Sequence, residues 1–201
     1  MVSRSLVLGY HGCDLATAQK IVTGQDEQIP STNEYDWLGG GLYFGEDSYD
    51  RAFKWAQAEA RKIDGKVKTP AVLGAIIDLG NCLNLIDSEH LDLVKAAHEA
   101  YLELCNISGL TPAQNKGKDL RARYLDKAVF ETLHKLRQQE MKTPFDSVRA
   151  FFVEGEPLYE NAGLHALDHI QICARNSRQI IGYFLPRPQR IKSRQKKRAV
   201  K

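Results

Sequence analysis

The sequence predicts an α+β fold in which strands near both ends of the chain enclose a helical middle. Apolar runs with strand composition occur before residue 80 and again after Pro144, whereas the segment between them has apolar residues at helical spacing. The chain has 201 residues, 43% of them hydrophobic, so it can bury one substantial core. Length therefore favours a single domain over residues 1–186, followed by a basic, flexible tail at 187–201.

The first elements alternate between strand and helix. Residues 5–10 are apolar and predict the first strand, and residues 15–22 predict a short helix. Residues 25–36 are polar and predict a loop. Tyr35 and Trp37 stand at the end of this loop, where they either pack beneath it or flank a pocket.

A glycine-rich stretch comes next and leads into a strand and a helix. Gly39–Gly41 permit close backbone approaches, and residues 42–44 have the composition of a short strand. A helix is expected from Asp47 to about Ile63, with Asp47 or Ser48 as its cap. Residues 72–79 predict a fully buried strand.

The middle of the chain, at about 84–143, predicts a helical insertion beside the sheet. Ser88 caps one predicted helix that reaches about Cys105, and a second is predicted from Leu120 to about Gln139. Glycine, proline and asparagine residues separate the two helices. The insertion either supports the core or presents a surface to a partner.

Strands return after Pro144, and a polar loop of 15 residues at 154–168 lies between the first two of them. The last two strands are expected to form a hairpin across Asn176-Ser177. The three predicted strands span residues 147–153, 170–174 and 179–185.

Two motifs near the N-terminus resemble those of the ADP-ribosyltransferase superfamily. The first strand runs into His11-Gly12, and the second strand reads Gly-Leu-Tyr-Phe with its tyrosine at Tyr43. The following helix carries an Ala-x-x-Trp-Ala pattern that contains Trp55. The family's His-Tyr branch has these features in this order, and the resemblance covers roughly residues 5–60 and 147–185.

This resemblance implies a fold, a reaction and partners. The fold would be a split antiparallel β-sandwich with flanking helices. The activity would be mono-ADP-ribosyl transfer, with NAD as co-substrate, to a macromolecular acceptor that is RNA, DNA or a protein. Such a domain would fit a bacterial toxin or antiphage effector with an antitoxin protein as partner. The alternatives are an NAD glycohydrolase and a non-catalytic module that binds NAD or nucleic acid.

The resemblance also implies roles for individual residues. The Gly12 backbone would hold the nicotinamide carboxamide, and Tyr43 would stack on the ring, with Trp55 or Tyr49 closing the other side. Arg51 is either a ligand of the diphosphate or a solvated helix charge. The implied catalytic set is His11, Tyr43 and Gln171, and the implied NAD-binding set is His11, Gly12, Gly41, Tyr43, Arg51 and Trp55.

The third catalytic position departs from the family pattern. By register, the family's common glutamate falls on Gln171, which can hydrogen-bond a ribose hydroxyl but cannot accept a proton as a carboxylate does. Glu154 or Glu156, swinging in from the loop, could supply that carboxylate, and His169 is a further alternative. The same loop, with Tyr159, is the expected acceptor surface.

Charge is divided unevenly along the chain, whose net charge is +3. Residues 187–201 hold eight of the 28 Lys and Arg residues, which leaves 20 against 25 Asp and Glu and a net charge of −5 elsewhere. The tail either contacts nucleic-acid phosphates or an acidic partner, or serves only as a solvated terminus.

The spacing of the cysteines and the hydropathy of the chain argue against a zinc-binding, a disulfide-rich and a membrane-spanning protein. The four cysteines are widely spaced, which argues against both a zinc site and a disulfide framework, so free and mostly buried thiols are expected. No apolar run approaches the ~18 to 20 residues that span a bilayer, and the N-terminus lacks a signal-peptide core. We therefore expect a cytoplasmic protein that holds no metal and does not enter a membrane.

Overall fold

A computed structural model describes residues 5–117, 120 and 122–187. The predicted tail therefore lies outside the described residues, apart from Arg187. The elements are β1 Leu6–Asp14, α1 Leu15–Val22, β2 Leu42–Glu46, α2 Tyr49–Ala60, β3 Pro70–Asp78, β4 Cys82–Asn84, α3 Ser88–Ile107, α4 Tyr124–Gln139, β5 Ser147–Phe152, β6 His169–Ala174 and β7 Ile180–Phe184.

Helices α1 and α3 begin where an aspartate side chain satisfies one of the first backbone N–H groups. The Asp14 carboxylate accepts from the Ala16 N–H at 3.0 Å and caps α1, whose predicted bounds are confirmed. Asp87, rather than the predicted Ser88, caps α3 by accepting from the Glu89 N–H at 3.2 Å. Asp87, one position before the predicted serine, accepts the capping hydrogen bond that was expected of Ser88.

The strands form one seven-stranded sheet in the order β4-β5-β6-β2-β1-β3-β7. Its neighbours are antiparallel except for β4 and β5, which are parallel. The expected α+β class is thus confirmed. The predicted hairpin across Asn176-Ser177 is wrong, because β6 lies between β5 and β2 whereas β7 pairs with β3 at the sheet edge. A short 3-10 turn at Ser177–Gln179 leads the chain away from β6.

The sheet opens between its two central strands. β1 pairs with β3 at nine positions, from Leu6 to Asp14, but among the described residues it pairs with β2 only at Gly9 and Tyr10. Beyond Tyr10 the chain of β1 follows β3 alone. This divergence makes room for a cleft at the His11-Gly12 end of β1.

Three apolar clusters form the core of the described residues. In the first, Phe130 and Leu133 of α4 pack with Leu83 and Val148 from the sheet. The helical insertion therefore supports the core, which is one of the two roles left open by the sequence. In the second, Phe44 and Ile77 occupy the space that a side chain at Gly9 would need, with their atoms 2.8 and 2.5 Å from its ideal Cβ position.

Within the described ranges, the helices are too short or too polar to cross a bilayer.

Candidate functional site

A cleft of about 690 Å³ lies where β1 and β2 diverge, and this volume is typical of small-molecule sites. The chain segments that meet there come from β1, β2, α2, β6 and the loops before β2 and after β5. Eight of the residues singled out from the sequence, together with His169, line it: His11, Gly12, Gly41, Tyr43, Arg51, Trp55, Glu154 and Gln171.

His11 is fixed at the cleft by a backbone hydrogen bond. Its Nδ1 lies 2.9 Å from the Tyr43 carbonyl oxygen, and a carbonyl only accepts, so Nδ1 carries the proton. Burial lowers the pKa of His11, against an opposing effect of this hydrogen bond. The neutral imidazole keeps Nε2 as an acceptor for a ligand hydroxyl group.

Tyr43 presents its ring to the cleft while its hydroxyl is held by the backbone. The hydroxyl donates to the Gly39 carbonyl at 2.7 Å and accepts from the Leu38 N–H at 3.0 Å. Burial raises the pKa of Tyr43, so the phenol stays protonated. The side chain is therefore rigid and suited to stacking rather than to proton transfer.

The Gly12 position brings helix α2 against β1. A Cβ there would lie 2.2 Å from the Ala52 carbonyl oxygen and 3.1 Å from the Trp55 ring. Trp55 is 44% exposed, and its ring centroid lies 6.4 Å from that of His11. Tyr49, the alternative to Trp55, instead stacks on Phe53 and lines a neighbouring hollow of about 280 Å³.

Gly41 has a packing reason to be glycine. A Cβ at this position would meet the Cys173 sulfur at 2.6 Å and the Ala174 carbonyl oxygen at 2.7 Å. Its N–H and C=O are both bonded to the backbone of Ser31, at 3.1 and 2.8 Å. Gly41 thus lines the cleft with its polar backbone groups already paired.

Gln171 lies in a hydrogen-bonded row that fixes its amide. Its Oε1 accepts from the Trp37 indole N–H at 2.7 Å, and its Nε2 donates to His169 Nε2 at 3.0 Å. His169 in turn donates from Nδ1 to the Leu167 carbonyl at 2.7 Å. Burial lowers the pKa of His169, consistent with the neutral ring this row requires. Trp37, for which the sequence left two roles open, flanks the cleft.

The two candidate charged groups meet in the cleft. Arg51 Nε donates to Glu154 Oε2 at 3.1 Å, and Arg51 Nη2 contacts the same oxygen. Among the described residues, Glu156 and Tyr159 do not line the cleft. Tyr159 is 66% exposed on the 154–168 loop, which cross-loop hydrogen bonds such as that from Leu158 N–H to Leu164 C=O at 3.0 Å keep ordered.

Three further cleft residues were not predicted from the sequence. The described residues contain five buried side-chain polar atoms without a hydrogen-bond partner, and three of these belong to the cleft: Gln28 Oε1, Asp36 Oδ2 and Arg123 Nε. Unpaired buried polar atoms cost stability, so three of them around one cleft are a cost to the fold. Polar loop residues such as these carry no spacing signal that could identify them from the sequence.

The cysteines behave as expected from their spacing. All four are free, and Cys13, Cys105 and Cys173 are buried. Among the described residues, no group of three or more His, Cys, Asp and Glu side chains is placed to hold a metal ion.

The chain is similar to a distant archaeal relative. The chain is 30% identical over 145 residues to an uncharacterized protein of Methanocaldococcus jannaschii. The match covers 71% of this chain and 63% of the archaeal protein, so the chain spans less than two thirds of that relative's length. No family model matches the sequence, and no solved structure matches the chain.

Proposed function

We propose that the protein is a mono-ADP-ribosyltransferase that cleaves NAD at the nicotinamide–ribose bond and transfers ADP-ribose to a macromolecule. One observation carries the proposal. His11, Tyr43 and Gln171 come from three strands and are up to 160 positions apart, yet all three line one cleft of about 690 Å³. The superfamily's motifs place these residue types around NAD.

The opening of the sheet supports the same assignment. Because β1 leaves β2 after Tyr10, the backbone of His11 and Gly12 borders the cleft instead of continuing a ladder with β2. An extended segment with a glycine can pair its N–H and C=O with a carboxamide. This is the position that we assign to the nicotinamide amide group.

The chemistry needs orientation more than proton donation. Nicotinamide leaves as a neutral amide, and the ribose passes through an oxocarbenium-like transition state, as in glycoside cleavage. Tyr43 and Trp55 would enclose the nicotinamide ring, His11 Nε2 would accept from the adenosine-side ribose, and Gln171 would bond the nicotinamide-side ribose. Arg51 would hold the diphosphate.

A second candidate is a module that binds NAD or nucleic acid without turning it over. Gln171 favours this candidate, because its amide cannot accept a proton as a carboxylate does and is already hydrogen-bonded to Trp37 and His169. NAD glycohydrolysis is the remaining alternative, since it uses the same cleft with water as acceptor. Function as a toxin or antiphage effector, with an antitoxin as partner, would follow from transfer to an essential protein or nucleic acid.

Labelled NAD distinguishes these candidates. The protein is incubated with it in the presence of cell protein, RNA or DNA, and we expect label on one polymer. Free ADP-ribose alone would indicate a hydrolase, and binding without turnover would indicate a module.

A matched pair of histidine variants then tests the site. His11→Gln should lower turnover by roughly 100-fold or more because ribose orientation is lost. His98→Gln, on α3 and away from the cleft, should leave turnover unchanged. Equal activity of the two variants would contradict the assigned site.

A further inference from the structure

The ion pair between Arg51 and Glu154 lies inside the candidate cleft and is largely withdrawn from water. The two side chains are only 18% and 20% exposed, and two guanidinium nitrogens contact the same carboxylate oxygen. Arg51 comes from α2 and Glu154 from the segment after β5. In the ligand-free protein, one cation and one anion of the cleft therefore neutralise each other.

Glu154 needs no loop movement to reach the cleft. Its backbone N–H donates to Asp168 Oδ1 at 3.0 Å, and its carbonyl accepts from the Leu167 N–H at 2.9 Å. These bonds fix the base of the 154–168 loop. The side chain is then free to exchange partners by rotation alone.

The pair adjoins the strand position that lacks a carboxylate. His169, whose pKa is lowered mainly by burial, also feels the opposite charges of Arg51 and Glu154. The same ring accepts a hydrogen bond from Gln171 at 3.0 Å. Glu154 thus lines the same cleft as Gln171 and His169, and it is the cleft carboxylate that pairs with Arg51.

We propose that Glu154 is the general base for the acceptor and that the dinucleotide's diphosphate releases it from Arg51. This inference rests on the proposed transferase function. In the step, an acceptor O–H or N–H attacks ribose C1′ while the C1′–N bond breaks. Nicotinamide leaves with that bond's electron pair, and the Glu154 carboxylate takes the acceptor proton.

Release follows from competition for one guanidinium group. A diphosphate offers several charged oxygens to the planar fork of Arg51, and such bidentate phosphate contacts are stronger than one shared carboxylate oxygen. The Glu154 carboxylate is therefore released from its ion pair with Arg51 only when NAD is bound.

Equilibrium binding of ADP, which carries the diphosphate alone, tests the competition. Glu154→Gln should bind ADP roughly two- to fivefold more tightly, because Arg51 loses its anionic competitor. Arg51→Gln should bind it more weakly. Glu59→Gln is the matched control, since Glu59 is 17% exposed, lies on α2 and pairs with Lys62 at 2.5 Å. Unchanged or weaker ADP binding by Glu154→Gln would overturn the competition.

Turnover tests the base. Glu154→Gln should lower transfer to the acceptor by roughly 100-fold or more, Glu154→Asp should retain an intermediate rate, and Glu59→Gln should match the wild type. An active wild type with an equally active Glu154→Gln variant would overturn the inference and leave the transferase function standing. A wild type that binds NAD without forming any ADP-ribose product would instead overturn the proposed function.

Discussion

Two neutral histidine side chains, His11 and His169, border the cleft, and their protonation limits the lowest pH at which the site can function. A second proton on His169 would remove the Nε2 acceptor that Gln171 uses, and on His11 it would leave the Nδ1 bond to Tyr43 in place but remove Nε2 as an acceptor. Burial lowers the pKa of both histidines. Their neutral forms therefore persist below the ordinary histidine pKa of about 6.5 and are lost as the pH falls through the lowered folded-state values.

We predict a flat rate of NAD cleavage from pH 8 down to about 6.5 and a decline only below that value. The measurement is kcat/KM against pH, with the fold checked by circular dichroism at each point. An acid limb centred at or above pH 6.5 would contradict the assignment of neutral, desolvated imidazoles.

Gly12 gives a residue-scale prediction about stability. Gly12→Ala should lower the free energy of unfolding by about 1–3 kcal/mol and weaken NAD binding, because its Cβ would lie 2.2 Å from the Ala52 carbonyl oxygen. The control is Gly182→Ala on β7, where an added Cβ meets open space. Thermal melts and NAD titrations check both variants, and equal behaviour would show that α2 does not need this close approach.

At the level of the elements, helix α4 carries a partly buried histidine, His134, that the sequence did not mark. Burial, with help from Arg175 and Arg137, lowers the pKa of His134 to about 3, and its Nε2 has no hydrogen-bond partner. Below pH 6.5 the unfolded chain binds a proton at His134, whereas the folded chain does not until about pH 3. The free energy of unfolding should therefore decrease as the pH is lowered from about 6.5 to 3, by up to about 1.4 kcal/mol per pH unit.

His134→Leu should flatten that dependence, since leucine neither titrates nor leaves a polar partner unpaired. Urea unfolding of the variant and the wild type at pH 7, 6, 5 and 4 measures the two slopes. His11 and His169 also have lowered pKa values, so we expect a smaller slope rather than none. Parallel slopes would contradict the burial of His134.

Most elements were predictable from the sequence because their signals are local. Apolar periodicity and end residues predicted α1 correctly and the strands around Tyr43 and Gln171 to within two residues. Strand partners were less accessible. Turn composition at Asn176-Ser177 suggested a hairpin, but pairing depends on which sheet edge is open, and β3 offered it. The short strand β4 was not predicted, since three residues give no periodicity.

At the scale of the whole molecule, residues far apart in sequence assemble the candidate site. The motifs at His11 and Tyr43 and the register of Gln171 were visible in the sequence, and the sheet order brings β6, β2 and β1 side by side. The bond from Trp37 to Gln171 and the pairing of Arg51 with Glu154 were not visible. Such contacts depend on side-chain orientation across the cleft, which no local pattern encodes.

A crystal structure of the protein with a non-hydrolysable NAD analogue would show directly whether the cleft binds NAD as proposed. We predict the nicotinamide ring between Tyr43 and Trp55, its carboxamide on the Gly12 backbone, and the adjoining ribose beside Gln171. We also predict that Arg51 turns from Glu154 to the diphosphate. An analogue bound elsewhere, or one that contacts fewer than two of His11, Tyr43 and Gln171, would contradict this prediction.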